Sequence, residues 1–312
     1  MSGRFIAAAL GAAMSTAAVA AQQPSFRAET RLVVLRATVR NSRGVEITGL
    51  DQTAFTVYEN GRRQPITLFR RDDIPVSIGL LIDNSGSMRP LRARAEAAAL
   101  AFVRASNPRD EAFVVNFADT PRIDVALTGD VSALEAGVAR ADSIGGTALR
   151  DAIEMAETYL HDHASRDRQV LLVITDGRDN ASRVTLKQIE ETARLSETAV
   201  YAIGLFGSTD SAEARDGRHE LDALTARTGG VAFYPANLAD IDGIVHDLAQ
   251  QIRRQYTIAY APTNQALDGT YRRIRVDARG TEPLTVRTRA GYLASAPSAV
   301  APGTSRQPPT RR

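Results

Sequence analysis

The sequence predicts an α/β fold: a doubly wound, mostly parallel sheet with a smaller β-rich unit built from the flanking segments. Three observations predict it. Four near-continuous apolar runs, VSIGLLI, AFVVNF, VLLVITD and AVYAIGLF, are separated by helical stretches. Strands without polar alternation are covered on both faces, and strand–helix alternation winds such strands into a parallel sheet. The segments on either side of this region are instead β-rich and turn-punctuated, and 312 residues suffice for two units.

Taken in order, the chain starts with Arg4 and the Ala-rich apolar run FIAAALGAAMSTAAVA, which ends in small residues at Ala18-Val19-Ala20. This pattern predicts a secretory signal peptide over residues 1–21 and hence an exported protein, periplasmic or secreted. A permanent anchor is the competing reading, but the run is short and weakly hydrophobic beside the roughly 20 strongly apolar residues that a spanning helix needs. Cysteine is absent, so stability is expected from the core and a metal rather than from disulfides.

Residues 26–72 read as a β-rich segment: LVVLRATV, NSRGVEITGL, then FTVYENGRRQPITLF, where Asn60-Gly61 between strand-like runs signals a hairpin. The α/β domain is expected over 75–254. Its helices show one apolar stripe each, Leu91, Ala95, Ala98 and Phe102 in one, Leu149, Ile153, Ala156 and Leu160 in the next. Further helices are expected at about 186–196 and 238–254, and the alternating RIDVAL suits an antiparallel edge strand beside AFVVNF. Over 255–294 the β style returns in YTIAYAP, YRRIRVDA and LTVRTRAGYL, expected to pair with the N-terminal segment. The arginines of YRRIRVDARG alternate with Ile and Val and are expected on a solvated face. The Pro-, Ser- and Arg-rich tail, 295–312, is expected to be disordered.

Charge excludes little and motifs exclude more. The net charge of +2, from 38 basic and 36 acidic residues, gives no ground for nucleic-acid binding, and all the basic residues but Lys187 are arginine. Gly145-Gly146 is no phosphate cradle, since no G-x-x-x-x-G-K-[ST] pattern surrounds it. Neither a nucleophile elbow nor a paired aspartate of the phosphotransferase type is present, so no enzymatic activity is expected.

Three loops leave the parallel strands or precede a helix with oxygen-bearing side chains: D-N-S-G-S at 83–87, G-G-T at 145–147, and I-T-D-G at 174–177. In a parallel sheet the C-terminal strand ends open onto one edge, where ligands sit. Asp83, Ser85, Ser87, Thr147 and Asp176 thus form an all-oxygen set of two carboxylates and three hydroxyls, suited to a hard divalent cation: Mg2+, or Mn2+ in the same shell. Gly86 is expected to permit a tight turn that brings Ser85 and Ser87 together. Water-mediated carboxylates would leave one vertex open to an outside acidic group.

These residues resemble the metal-ion-dependent adhesion site of von Willebrand factor type A domains, with D-x-S-x-S at Asp83, Ser85 and Ser87, Thr147 in GGTALRDAI and Asp176 in VITDG. The resemblance covers roughly 75–254, and the flanking pattern is similar to a bacterial exported subgroup of that family. It implies a Rossmann-like fold, metal ligation by the two Ser and the Thr, Asp ligation often through water, and a partner protein's Glu or Asp completing the shell. Simpler readings stand beside this one. Ser87 and Thr147 each precede a helix and suit N-caps; Asp151 and Asp179 suit either support of the site or pairing with Arg150 and Arg178; His161 and His163 suit a solvated helix end. The expected function is an exported, metal-dependent protein-binding module for adhesion or assembly. The alternatives are a metal-stabilised scaffold of the cell envelope and, third, a hydrolase.

Overall fold

The computed structural model describes residues 32–71, 73–140, 144–177, 179–206, 212–237 and 239–295. The signal-peptide reading of 1–21 and the tail reading from 296 onward fall outside them. In chain order, β1 (Val33–Asn41), the hairpin β2 (Phe55–Glu59) and β3 (Arg62–Gln64), and β4 (Ile66–Arg70) precede the apolar strand β5 (Val76–Asp83). There follow α1 (Arg92–Ala105), β6 (Glu111–Phe117), β7 (Pro121–Thr128), α2 (Val131–Val138), α3 (Leu149–His163), β8 (Arg168–Thr175), α4 (Leu186–Leu195) and β9 (Ala199–Gly204). Then come α5 (Ala212–Thr228), β10 (Ala232–Phe233), α6 (Ala239–Arg253), β11 (Tyr256–Tyr260), β12 (Tyr271–Ala278), β13 (Leu284–Arg287) and β14 (Gly291–Leu293).

The fold class is that of a mostly parallel α/β sheet with added antiparallel sheets from both flanks. Six strands form the central sheet in the order β10-β9-β8-β5-β6-β7, all parallel except β7, which runs antiparallel to β6 at the edge. Pleating sends alternate residues of one strand to opposite faces. Val170, Leu172 and Ile174 of β8 pack with Ala98 and Phe102 of α1 and Val245 and Leu248 of α6. Leu171 and Val173 pack on the other face with Leu149, Ile153, Ala156 and Leu160 of α3 and Leu221 of α5. Burial on both sides is why these strands carry no polar alternation, and each large side chain so buried contributes about 2 kcal/mol.

The flanks make two four-stranded sheets, β13-β1-β11-β4 and β14-β12-β2-β3, around Leu35, Val39, Val57, Tyr256, Ile258 and Tyr260. Asn60 and Gly61, at φ of 47° and 81°, close the β2–β3 hairpin as the dipeptide predicts. Two runs that read as single strands divide. After Pro65 the chain leaves β2 and continues as β4 beside β11, and LTVRTRAGYL becomes β13 against β1 and β14 against β12. The YRRIRVDA strand also corrects an expectation. Arg273 and Arg275 are exposed, but Arg272 is 3% exposed and bonds back to Asp268 at 3.0 Å. Helices α2 and α5 lack the long apolar stripe that marks the others. The buried positions of α5 are Ala214, Gly217, Glu220, Leu221, Leu224, Thr225 and Thr228, and with two large apolar residues among small and polar ones they leave only a faint hydrophobic period. Among the described residues, no helix is long and apolar enough to cross a membrane.

Candidate metal centre

Asp83 closes β5 and is 1% exposed. Its Oδ1 accepts the Ser85 backbone N–H at 2.8 Å, a turn in which an Asp side chain caps the amide two residues on. Its Oδ2 accepts the Thr175 hydroxyl at 2.6 Å, tying the end of β5 to the end of β8. The turn brings Ser85 Oγ to 3.0 Å from Ser87 Oγ, and Ser87 in turn donates to Asp176 Oδ1 at 3.1 Å. Asp83, Ser85, Ser87 and Asp176 are therefore linked by a continuous run of polar contacts. Gly86 does not hold a left-handed conformation, and a Cβ there would meet only ordinary contacts, so the Asp83 carboxylate rather than the glycine sets this turn.

Thr147 is placed through its backbone. Asn180 Oδ1 accepts the Thr147 N–H at 2.8 Å, while the Thr147 carbonyl accepts the N–H groups of Asn180 and Ala181 at 3.1 and 3.2 Å. Its loop is tied to the first one twice, by Gly86 N–H donating to the Gly145 carbonyl at 3.0 Å and Ile144 N–H to the Asn84 carbonyl at 3.1 Å. Among the described residues, no hydrogen bond joins the Thr147 hydroxyl to the other four. Here a glycine is required. Gly145 has φ of +94°, and a Cβ on it would lie 2.4 Å from Asp119 Oδ2. Asp119 Oδ1 accepts the Gly146 N–H at 2.7 Å. Asp119, Thr175 and Asn180 were not singled out by the sequence; the signal available was an Asp or Thr in the residues that end or directly follow an apolar strand, and an Asn four residues past Asp176.

The simpler readings of several residues are settled by geometry. Neither Ser87 nor Thr147 caps a helix: Leu91 stands at the N-cap of α1 and Ala148 at that of α3, and neither cap involves a side-chain bond. Asp179 accepts the Arg150 N–H at 2.8 Å and the Ser182 hydroxyl at 2.6 Å, and Asp151 accepts the N–H groups of Arg183 and Val184. Both fasten the loop after Asp176 to the start of α3. Arg178 falls outside the described residues. His161 and His163 are exposed at the far end of α3, where the His163 ring stacks on Tyr159 at 4.2 Å.

Burial pushes the Asp83 carboxyl up to about 6; the Thr175 and Ser85 bonds oppose this, and the Asp176 charge adds to it. Burial also raises Asp176, against the Ser87 bond. Among the described residues, no Arg, Lys or His forms an ion pair with either carboxylate. Two neighbouring desolvated carboxylates without a counter-charge are costly, and a divalent cation offsets both at once. Among the described residues, no group of three or more His, Asp or Glu is placed to hold a metal, so any shell here must draw on hydroxyls. Two carboxylates with adjacent hydroxyls form the donor set of a hard, oxygen-preferring ion. The residues fit such an ion.

The fold and this rim define a class: a Rossmann-like α/β domain with an oxygen-lined ligand edge at the C-terminal strand ends. Within it, residues 78–178 match the family model described as von Willebrand factor type A domain, a stretch that contains all five of these side chains. No curated protein matches the chain. Among solved structures, the conserved hypothetical protein BatB from Bacteroides thetaiotaomicron is 18% identical with a TM-score of 0.45, over 56% of this chain and 98% of that one. The von Willebrand factor type A protein from Catenulispora acidiphila is 14% identical with a TM-score of 0.49, over 85% and 75%. Proximal thread matrix protein 1 from the mussel byssus, with a zinc-occupied MIDAS motif, is 18% identical with a TM-score of 0.49, over 62% and 50%.

Proposed function

We propose that this chain is an exported, metal-dependent protein-binding module, periplasmic or secreted, that captures an acidic side chain of a partner protein through a divalent cation. Asp83, Ser85, Ser87, Thr147 and Asp176 would hold the ion, Mg2+ or Mn2+, and its charge would attract the partner's Glu or Asp into the remaining coordination place. The observation that carries the reading is the buried Asp83 carboxylate, without an ion-pair partner among the described residues, at the end of a polar run through Ser85 and Ser87 to Asp176. The match of 78–178 to the von Willebrand factor type A model supports it. A binding role rather than catalysis is supported by the site's own chemistry: among the described residues, no histidine hydrogen-bonds to Ser85, Ser87 or Thr147, and the carboxylate that accepts the Ser87 hydroxyl, Asp176, is itself one of the groups that would hold the ion.

Calorimetry of Mg2+ binding to the wild type and Asp83→Ala tests the metal site; equal affinity in the two removes the reading. A pull-down from envelope extract with and without chelator tests capture. Were chelation to lower the melting temperature but leave capture intact, the metal would serve only to tie the loops together.

A further inference from the structure

At the sheet edge opposite the metal rim, the N-terminal ends of β8 and β9 meet β1 and the segment leading into β14. They enclose a cavity of about 300 Å3. Three guanidinium groups line it, Arg36, Arg168 and Arg289, against two carboxylates, Asp167 and Glu197. Glu197 is spent on Arg289, at 3.1 Å, while Asp167 is exposed and, among the described residues, forms no ion pair. Arg36 donates to the Thr257 hydroxyl and pairs with neither acid.

Arg168 is the most enclosed of the three, at 2% exposure. Its Nη1 donates to the carbonyls of Ile252 and Arg253 at 2.6 and 2.8 Å, which fixes the guanidinium at the C-terminal end of α6. Its Nε and Nη2 are buried with no hydrogen-bond partner, and so is the Nε of Arg289. Burial, followed by the Arg36 charge, pushes Arg168 down to about 10, and burial lowers Arg36 against the opposing charges of Asp167 and Glu197. Buried donors without partners mark a group that is missing from the cavity. The planar fork of arginine matches carboxylate and phosphate, and the cavity has the size of a small-ligand site, for which about 300 Å3 is the lower end.

We propose that this cavity binds a small multivalent oxyanion, a phosphate or a dicarboxylate, held by Arg36, Arg168 and Arg289 and independent of the metal rim. Isothermal titration of the full chain with phosphate and with malonate, in chloride buffer of matched ionic strength, tests it. Saturable binding of at least one is expected, and which one binds identifies the source of the oxyanion. Arg36→Gln, which leaves the Arg168 contacts to α6 in place, is expected to weaken binding at least tenfold. Arg289→Gln repeats the test from the opposite wall, and Asp176→Asn should bind as the wild type does. Absence of saturable binding by both anions overturns the proposal, and so does wild-type affinity in both arginine variants or an equal loss in Asp176→Asn.

Discussion

Replacing Asp83 by Asn should make the metal-free protein more stable and the metal-loaded protein less so. In the folded chain the carboxyl titrates at about 6 against an ordinary 3.8. Because the folded state holds the proton more tightly, unfolding free energy falls as pH rises from about 4 to 6, and above pH 6 the full penalty is present. A shift of about two units corresponds to about 3 kcal/mol, which Asn, carrying no charge, does not incur. Asn also keeps a carbonyl oxygen for the Ser85 N–H, and the Thr175 hydroxyl, which already accepts the Gly177 N–H at 3.1 Å, can turn to meet the new amide. For a domain of this size the gain is a rise of several degrees in melting temperature. Differential scanning fluorimetry at pH 7.5 should show the variant melting above the wild type in EDTA, and the order reversing in millimolar Mg2+. A variant that melts lower in EDTA, or Mg2+ that raises both proteins equally, would refute the account of Asp83 as a carboxylate waiting for a cation.

Three further outcomes are expected. Glu157 on α3 has a buried Oε1 with no hydrogen-bond partner, and burial pushes its carboxyl from 4.5 up to about 7. It therefore costs stability, at most about 3 kcal/mol, as pH rises from 4.5 to 7, and the slope of denaturation midpoint against pH over that window should flatten in Glu157→Gln. Gly145→Ala forces a side chain into a left-handed position and against Asp119, which should cost about 2 kcal/mol in chemical denaturation and weaken Mg2+ binding by displacing the Thr147 loop. Asn180→Ala removes the acceptor of the Thr147 N–H and should reduce Mg2+ affinity about tenfold in calorimetry, with the far-ultraviolet circular dichroism unchanged.

The central sheet was legible because burial on both faces leaves a direct mark, apolar runs such as VLLVITD with no alternation. The oxygen set could be picked out because all its members but Thr147, which precedes α3, stand where such runs end. What supports them could not. Thr175 and Asp83 are 92 residues apart, and Asn180 and Thr147 are 33 apart. Each of these supports acts by one hydrogen bond that leaves no period or spacing behind. Helix α5 was hidden for a related reason. It packs through Gly217, where a Cβ would lie 2.9 Å from the Gly177 Cα, and close backbone approach selects small residues instead of a hydrophobic stripe. Arg272 misled because strand alternation assigns a face to each residue but says nothing of Asp268, four residues earlier, which lets a guanidinium sit on the inner one.

Strand β4 leads into the parallel domain and β11 leads out of it, and the two lie side by side, paired from Thr257–Arg70 to Tyr260–Ile66. The 185 residues between Arg71 and Gln255 thus hang from adjacent points of one ladder. Tension applied along the chain from β1 to the strands after β11 would run through the β1–β11 hydrogen bonds in shear, and would leave the suspended domain slack. A partner gripping the rim while the flanks are anchored would instead load the adjacent ends of β4 and β11 together, sharing one pull between two strands of a single sheet.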